Sequence, residues 1–205
     1  MEKIIEYIKQ YYEPLSIIIY GSYSDGSKNE HSDFDALVIS KSHKKYHDVS
    51  FVDGIQLDVF IYPYTYFDYE INCEEFIQIF DGKIIMDTNE YGKSLKNLVL
   101  EYINNVPCKS RKEIESQIEW CNKMLLRTKR NDEEGMFRWH WMLVDSLEIF
   151  YDAMNCHYWG PKKSLKWMKK QHPEAFECYT NALFNFNSIT LENWINYLNE
   201  LFRKK

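Results

Sequence analysis

The chain has little of what would mark several large functional classes. It contains no apolar run of the ~18 residues needed to span a bilayer. It has no internal repeat, no low-complexity tract and no CxxC pair. Glycine and proline are scarce, at seven and five of 205 residues, while 45% of residues are hydrophobic and 17% aromatic. That composition excludes a disordered or fibrous chain and describes a globular one with a real core. Five cysteines, Cys73, Cys108, Cys121, Cys156 and Cys178, are odd in number and widely spaced, which argues against a disulfide framework or a zinc site. The N-terminal segment MEKIIEYIKQYYEP carries charges throughout, unlike the apolar core of a signal peptide. The expectation is a cytoplasmic protein with no membrane partner.

Basic residues are also in the minority. Residues 1–105 hold 9 Lys and Arg against 18 Asp and Glu, and the remainder holds 16 against 13, which together give the net charge of −6. Binding a long nucleic acid rests on many basic contacts, so no such partner is expected. An acidic half loaded with a cation, beside a mildly basic half, suits a small phosphate ligand.

Periodicity divides the chain. Residues 2–11 read as a helix, followed by strands over Leu15–Tyr20, Phe34–Ile39 and Gln56–Tyr62. Lys41 to Asp48 reads as a polar connection, Asp53-Gly54 as a hairpin turn, Tyr64–Asn72 as helical and Lys83–Met86 as an edge strand. A stripe of Tyr91, Leu95, Leu98, Val99 and Tyr102 makes a helix that ends near Pro107. From Ser110 onward only helices are expected, at 110–130, 134–155, 163–171, 173–185 and 190–203. Ser110 with Glu113 forms a capping box, and Thr190 with Asn193 a weaker one. Asn131-Asp132 and His157–Pro161 supply the breaks. The expected fold class is α+β: a mixed β-sheet with flanking helices over residues 1–106, then a helical bundle over 107–205.

The chemistry concentrates between Ile17 and Ile39, in IIIYGSYSDGSKNEHSDFDALVI. Side chains alternate along a strand, so Asp33 and Asp35 project from one face. Two adjacent acids in an apolar strand repel each other and call for a cation. Mg²⁺, which takes carboxylate oxygens together with substrate phosphates, is the natural candidate. Asp58, alone within Leu57-Asp58-Val59-Phe60-Ile61, is costly there unless paired or metal-bound. If its strand lies beside Phe34–Ile39, the three carboxylates form one cluster. The Gly21-Ser22 turn offers backbone N–H groups and a hydroxyl to phosphate oxygens, and glycine permits their close approach.

This order of elements resembles the DNA polymerase β-like nucleotidyltransferase superfamily. The motifs match over residues 15–62, and the helical half is similar to that of antibiotic-modifying members such as the kanamycin and lincosamide enzymes. The resemblance implies transfer of NMP, AMP first, from an NTP to a hydroxyl of a small-molecule acceptor, with an antibiotic as the family-level candidate, and release of pyrophosphate. It implies two Mg²⁺ ions held by Asp33, Asp35 and Asp58, with Asp58 helping to activate the acceptor. Gly21, Ser22 and Ser32 would hold the nucleotide. Lys162 or Lys163, at a helix start after Pro161, is placed by context to reach a triphosphate; a solvated helix start is the equal alternative. A homodimer is compatible with the resemblance, since such enzymes often build the site between subunits. Two other readings stay open: a minimal antitoxin-type enzyme that adds AMP to a partner protein, and a nucleotide-binding module without turnover.

One position departs from the family. Many members follow Gly-Ser with a small residue, Arg and Gly; here the segment is Tyr23-Ser24-Asp25-Gly26. Asp25 stands where a phosphate-neutralising Arg often lies, which moves that role to Lys28 or the helical half, or weakens nucleotide binding. In the helical half, Arg138, Trp141, Asp145 and Glu148 fall close to one helix face and are candidate acceptor-binding residues. The alternative is an Arg–Asp/Glu network within the bundle, with Trp139 and Trp141 in the core. His43 and His47 stand four apart, but no third ligand accompanies them, so no metal is expected there.

Overall fold

The computed structural model describes every residue except His43, Asn131 and Lys205. The His43–His47 spacing and the Asn131 break therefore fall partly outside the described residues. The chain forms two compact units, Met1–Val106 and Pro107–Lys205.

The first unit is built on a mixed six-stranded sheet. Helix α1 (Glu2–Tyr12) leads into β1 (Pro14–Ile19), and a short α2 (Gly21–Asp25) precedes β2 (Phe34–Ser40). Strands β3 (Tyr46–Asp48), β4 (Phe51–Val52) and β5 (Ile55–Pro63) follow, then two 3₁₀ segments, Tyr64–Asp68 and Cys73–Ile79. Strand β6 (Lys83–Asp87) and helix α3 (Tyr91–Asn105) complete the unit. The order across the sheet is β3-β5-β2-β1-β6, with β4 paired to β5. Only β2 and β5 run parallel among these pairings, and both are central, as burial on two faces requires of their continuous apolar runs.

Alternation along the strands makes two cores. Ile17, Ile19, Phe34, Val38, Val59 and Ile61 pack against Ile4 and Ile8 of α1. On the other face Ile18, Tyr20, Leu37, Ile39 and Tyr62 meet Phe76, Ile79, Leu95 and Val99. Burying each large side chain contributes about 1.5–3 kcal/mol, offset by conformational entropy. The β4–β5 turn takes positive φ at both Asp53 (56°) and Gly54 (79°), as a two-residue Asp-Gly hairpin requires.

Two expectations change. The segment read as a polar connection contains β3, which pairs antiparallel with the outer side of β5. The stretch Tyr64–Asn72, read as helical, forms a 3₁₀ turn only to Asp68, and the second one starts at Cys73. Aromatic clustering of Tyr62, Tyr66, Phe67 and Phe76 fixes these turns where no helical stripe exists to extend them.

The second unit is a helical bundle of α4 (Arg111–Thr128), α5 (Glu133–Ala153), α6 (Gly160–Gln171), α7 (Pro173–Phe184) and α8 (Ser188–Arg203). Both bonds of the Ser110–Glu113 capping box are present. Helix α8 starts earlier than expected because Asn187, rather than Thr190, is its cap. Fully buried Trp194 donates from Nε1 to Ser146 Oγ at 2.8 Å, and Tyr179 donates to the Leu143 carbonyl at 2.9 Å. These bonds satisfy polar groups that would be costly to bury unpaired. No described helix is long and apolar enough to cross a membrane.

Candidate active site

Parallel pairing sets Asp35 of β2 directly opposite Asp58 of β5. Both stand on the sheet face that also carries Tyr20, Leu37 and Phe60, at the end where β1 turns into α2. Asp35 and Asp58 are each partly exposed, so the carboxylates open to solvent at the rim of an otherwise apolar layer. Asp33 lies two residues before Asp35, just ahead of β2, and is exposed.

Gly21 closes one side of this pair. Its φ is +62°, and a Cβ built there would stand 2.2 Å from Asp35 Oδ2 and 2.8 Å from its Cγ. No side chain fits between α2 and Asp35, and L residues are strained at that φ as well. The backbone N–H of Tyr20 donates to the Asp35 carbonyl at 3.2 Å, which ties the turn to β2. Ser22 is buried in α2. Tyr20 lies beneath the carboxylates. Burial, and then the charges of Asp58 and Asp35, raise its pKa above the usual phenolic range, so it stays a neutral hydroxyl.

The other side is closed by a residue that the sequence reading passed over. His47 Nε2 lies 2.6 Å from Asp58 Oδ1, and the His47 ring stacks on Phe60 with centroids 4.1 Å apart and planes 5° from parallel. Strand β3 delivers it, since His47 pairs opposite Phe60. The one sequence signal at His47 was its spacing from His43, which lacked a third ligand for a metal and gave no hint of a partnership with Asp58.

Beside Asp33 a cavity of about 460 Å³ is walled by Tyr23, Lys28, Ser32, Phe51 and Gln56, among others. Lys28 Nζ lies 4.9 Å over the Tyr23 ring. Ser32 closes a turn with Asn29, accepting from its N–H at 2.9 Å and donating to its Oδ1 at 3.3 Å. Asp25 accepts from the Ser27 N–H at 2.9 Å, so this departure from the family pattern organises the loop leaving α2.

The carboxylate donors suit a hard divalent cation, and the space held open by Gly21 lies against one of them. They are not drawn into a closed ligand set: no group of three or more His, Cys, Asp or Glu among the described residues is arranged to hold a metal. The structure thus joins Asp35 with Asp58, leaves Asp33 at the exposed approach, and engages one Asp58 oxygen with His47.

The family model for the nucleotidyltransferase domain matches residues 1–115, more than half of the chain. The chain belongs to the nucleotidyltransferase domain family. It is therefore a nucleotidyltransferase, in a family that generally uses an NTP and a divalent metal. No curated protein matches it. Among solved structures it is similar to a nucleotidyltransferase-like protein from Exiguobacterium sibiricum, at 15% identity and a TM-score of 0.42. That match covers 100% of this chain and 73% of the other.

The remaining candidates lie in the helical unit. Lys162 and Lys163 occupy the first turn of α6. Arg138 donates from Nε to Glu134 at 3.0 Å on its own helix and does not join Asp145 or Glu148. Trp139 is core, whereas Trp141 is 43% exposed and meets Trp120 edge-on at 5.7 Å. Asp145 and Glu148 line a cavity of about 430 Å³ with Trp120.

Proposed function

We propose that this nucleotidyltransferase moves a nucleoside monophosphate, AMP in the first instance, from an NTP to a hydroxyl of a small-molecule acceptor, releasing pyrophosphate. The observation that carries the reading is the direct pairing of Asp35 with Asp58 beside a glycine whose missing side chain leaves the carboxylate approachable. Asp33 and Asp35 would hold Mg²⁺ together with the triphosphate, with Asp58 completing the set. The bound cation would supply charge neutralisation on the attacking and leaving oxygens of an in-line displacement. Gly21 and Ser22 would receive phosphate oxygens at the start of α2. Asp58 would take the acceptor proton through the oxygen that His47 does not occupy, as a positioned base. Five free cysteines favour a reducing compartment, the cytoplasm.

The test is incubation of the full chain with Mg²⁺, each NTP labelled at the α-phosphate, and a panel of hydroxylated acceptors including antibiotics. Mass spectrometry would find an acceptor heavier by one NMP, with stoichiometric pyrophosphate. Tight NTP binding with no adduct on any acceptor would overturn the transfer reading in favour of a binding module.

A further inference from the structure

Helices α4 and α5 pack antiparallel: Gln117 Nε2 donates to Asp152 at one end, and Arg138 Nη1 reaches Met124 Sδ at 3.6 Å toward the other. On their outer side Trp120 of α4 meets Trp141 of α5 edge-on. Phe137, one turn before Trp141, extends this ring contact, with centroids 6.2 Å apart. Val144 follows three residues after Trp141 on the same face. Phe137 is 67% exposed and Val144 66%, so the strip is apolar and yet faces water. A contiguous apolar strip of this kind marks a contact surface, where a solvated helix face would be polar.

The charges beside the strip are sorted by end. Counting from Trp120, Lys123 and Arg127 lie one and two turns further along α4. Counting from Trp141, Asp145 and Glu148 lie one and two turns further along α5, and the antiparallel packing carries them in the opposite direction. None of the four has a hydrogen-bond or ion-pair partner among the described residues. Their neighbours are committed: Arg130 and Arg138 both bind Glu134, and Lys109 binds Asp152. The face therefore has a basic end, an aromatic centre and an acidic end. That sorting decides how the face could meet a copy of itself. A two-fold axis lying in the face and parallel to the helices would set acid on acid. An axis across the helices, through the Trp120–Trp141 contact, sets each end on its opposite and brings Trp141 and Val144 near their own copies. A surface that fits itself in this way is what an isologous interface requires.

We propose that the outer face of the α4–α5 pair is the interface of a two-fold homodimer, with α5 antiparallel to α5 of the second copy. Lys123 and Arg127 of each chain then stand against Asp145 and Glu148 of the other. The cavity of about 430 Å³ lined by Trp120, Asp145 and Glu148 receives the Arg127 guanidinium, which finds an indole and two carboxylates there. Exposed aromatics at the centre and charges toward the rim match the composition of protein contacts. A partner carrying one sign of charge would satisfy one end only, whereas a second copy satisfies both. Trp141, Asp145 and Glu148 thereby serve subunit pairing in place of the acceptor contact expected of them. The face lies wholly in the second unit, so the pairing stands apart from nucleotidyl transfer.

Sedimentation velocity of the full chain between about 1 and 200 µM tests the proposal. The wild type should pass from monomer to dimer across that range. Val144→Lys, an exposed position near the axis, should stay monomeric because it sets two ammonium groups against each other. The double variants Lys123→Glu/Arg127→Glu and Asp145→Lys/Glu148→Lys should each weaken self-association by at least about 100-fold, since like charges then meet at both ends. An equimolar mixture of these two variants should recover the dimer, one chain offering acids at both ends and the other bases. That recovery, with near-UV circular dichroism of each variant alone, separates a lost contact from a lost fold. A wild type still monomeric at about 200 µM, a dimer unaffected by Val144→Lys, or a mixture no more associated than either variant alone would overturn the proposal.

Discussion

Two glycines bracket α2, and comparing them isolates the close approach to Asp35. Gly21 opens the helix at φ +62°, and Gly26 caps it at φ +78°. Alanine at either position pays the left-handed strain of roughly 1–2 kcal/mol. At Gly26 nothing lies within 4 Å of the added Cβ, so Gly26→Ala should lose stability by about that amount and little else. At Gly21 the same Cβ meets Asp35 Oδ2 at 2.2 Å. Ordinary contact can return only if the carboxylate withdraws by about 1 Å. A misplacement of that size at a reacting centre costs on the order of 100-fold in rate, or about 2.7 kcal/mol of transition-state stabilisation. Gly21→Ala should therefore lose about 100-fold in kcat/KM for nucleotidyl transfer, while Gly26→Ala stays within about threefold of wild type. Urea denaturation should show similar stability losses for the two. Equal activity of the two variants would refute the claim that Gly21 is required for its approach to Asp35.

Other outcomes follow from single contacts. His47→Ala should lower kcat by about tenfold at saturating NTP, as loss of an outer-shell partner does, with His47→Gln recovering part through its amide donor; steady-state kinetics would show it. Tyr12 donates to Asp48, which is 2% exposed, at 2.7 Å. Burial pulls the Asp48 pKa upward, yet hydrogen bonds from Ser50 and Tyr12 hold it below the ordinary 3.8. A depressed carboxyl contributes stability above its unfolded pKa, and that contribution is lost as pH falls through the folded one. Tyr12→Phe should cost about 1–3 kcal/mol at pH 7, and its stability gap from wild type should narrow in urea titrations as pH falls below 3.8, because the lost hydrogen bond favours the ionised Asp48. Ser110→Ala removes the cap of α4 and should cost about 1 kcal/mol, read by urea denaturation.

The central strands were legible because Ile17–Ile19, Phe34–Ile39 and Leu57–Ile61 are near-continuous apolar runs in which a lone acid stands out. Helix α4 announced itself through Ser110 and Glu113. Strand β3 did not, because Tyr46-His47-Asp48 is short, polar and half-exposed, and only its pairing with β5 gives it strand geometry. His47 was hidden for the same reason: its partner is eleven residues away, and nothing in local spacing encodes the register that brings them together. The acceptors at Asp145 and Glu148 were visible as a helix face, but spacing alone drew Arg138 into the same group. The competing i−4 partner Glu134 takes it instead.

The paired carboxylates are tested most directly by pyrophosphate release from NTP with Mg²⁺ and an acceptor, compared between wild type and Asp35→Asn. The isosteric change keeps the β2–β5 register and removes one charge. A fall of at least about 100-fold with folding retained is the predicted result. Equal release by the two proteins would contradict the assignment of this site.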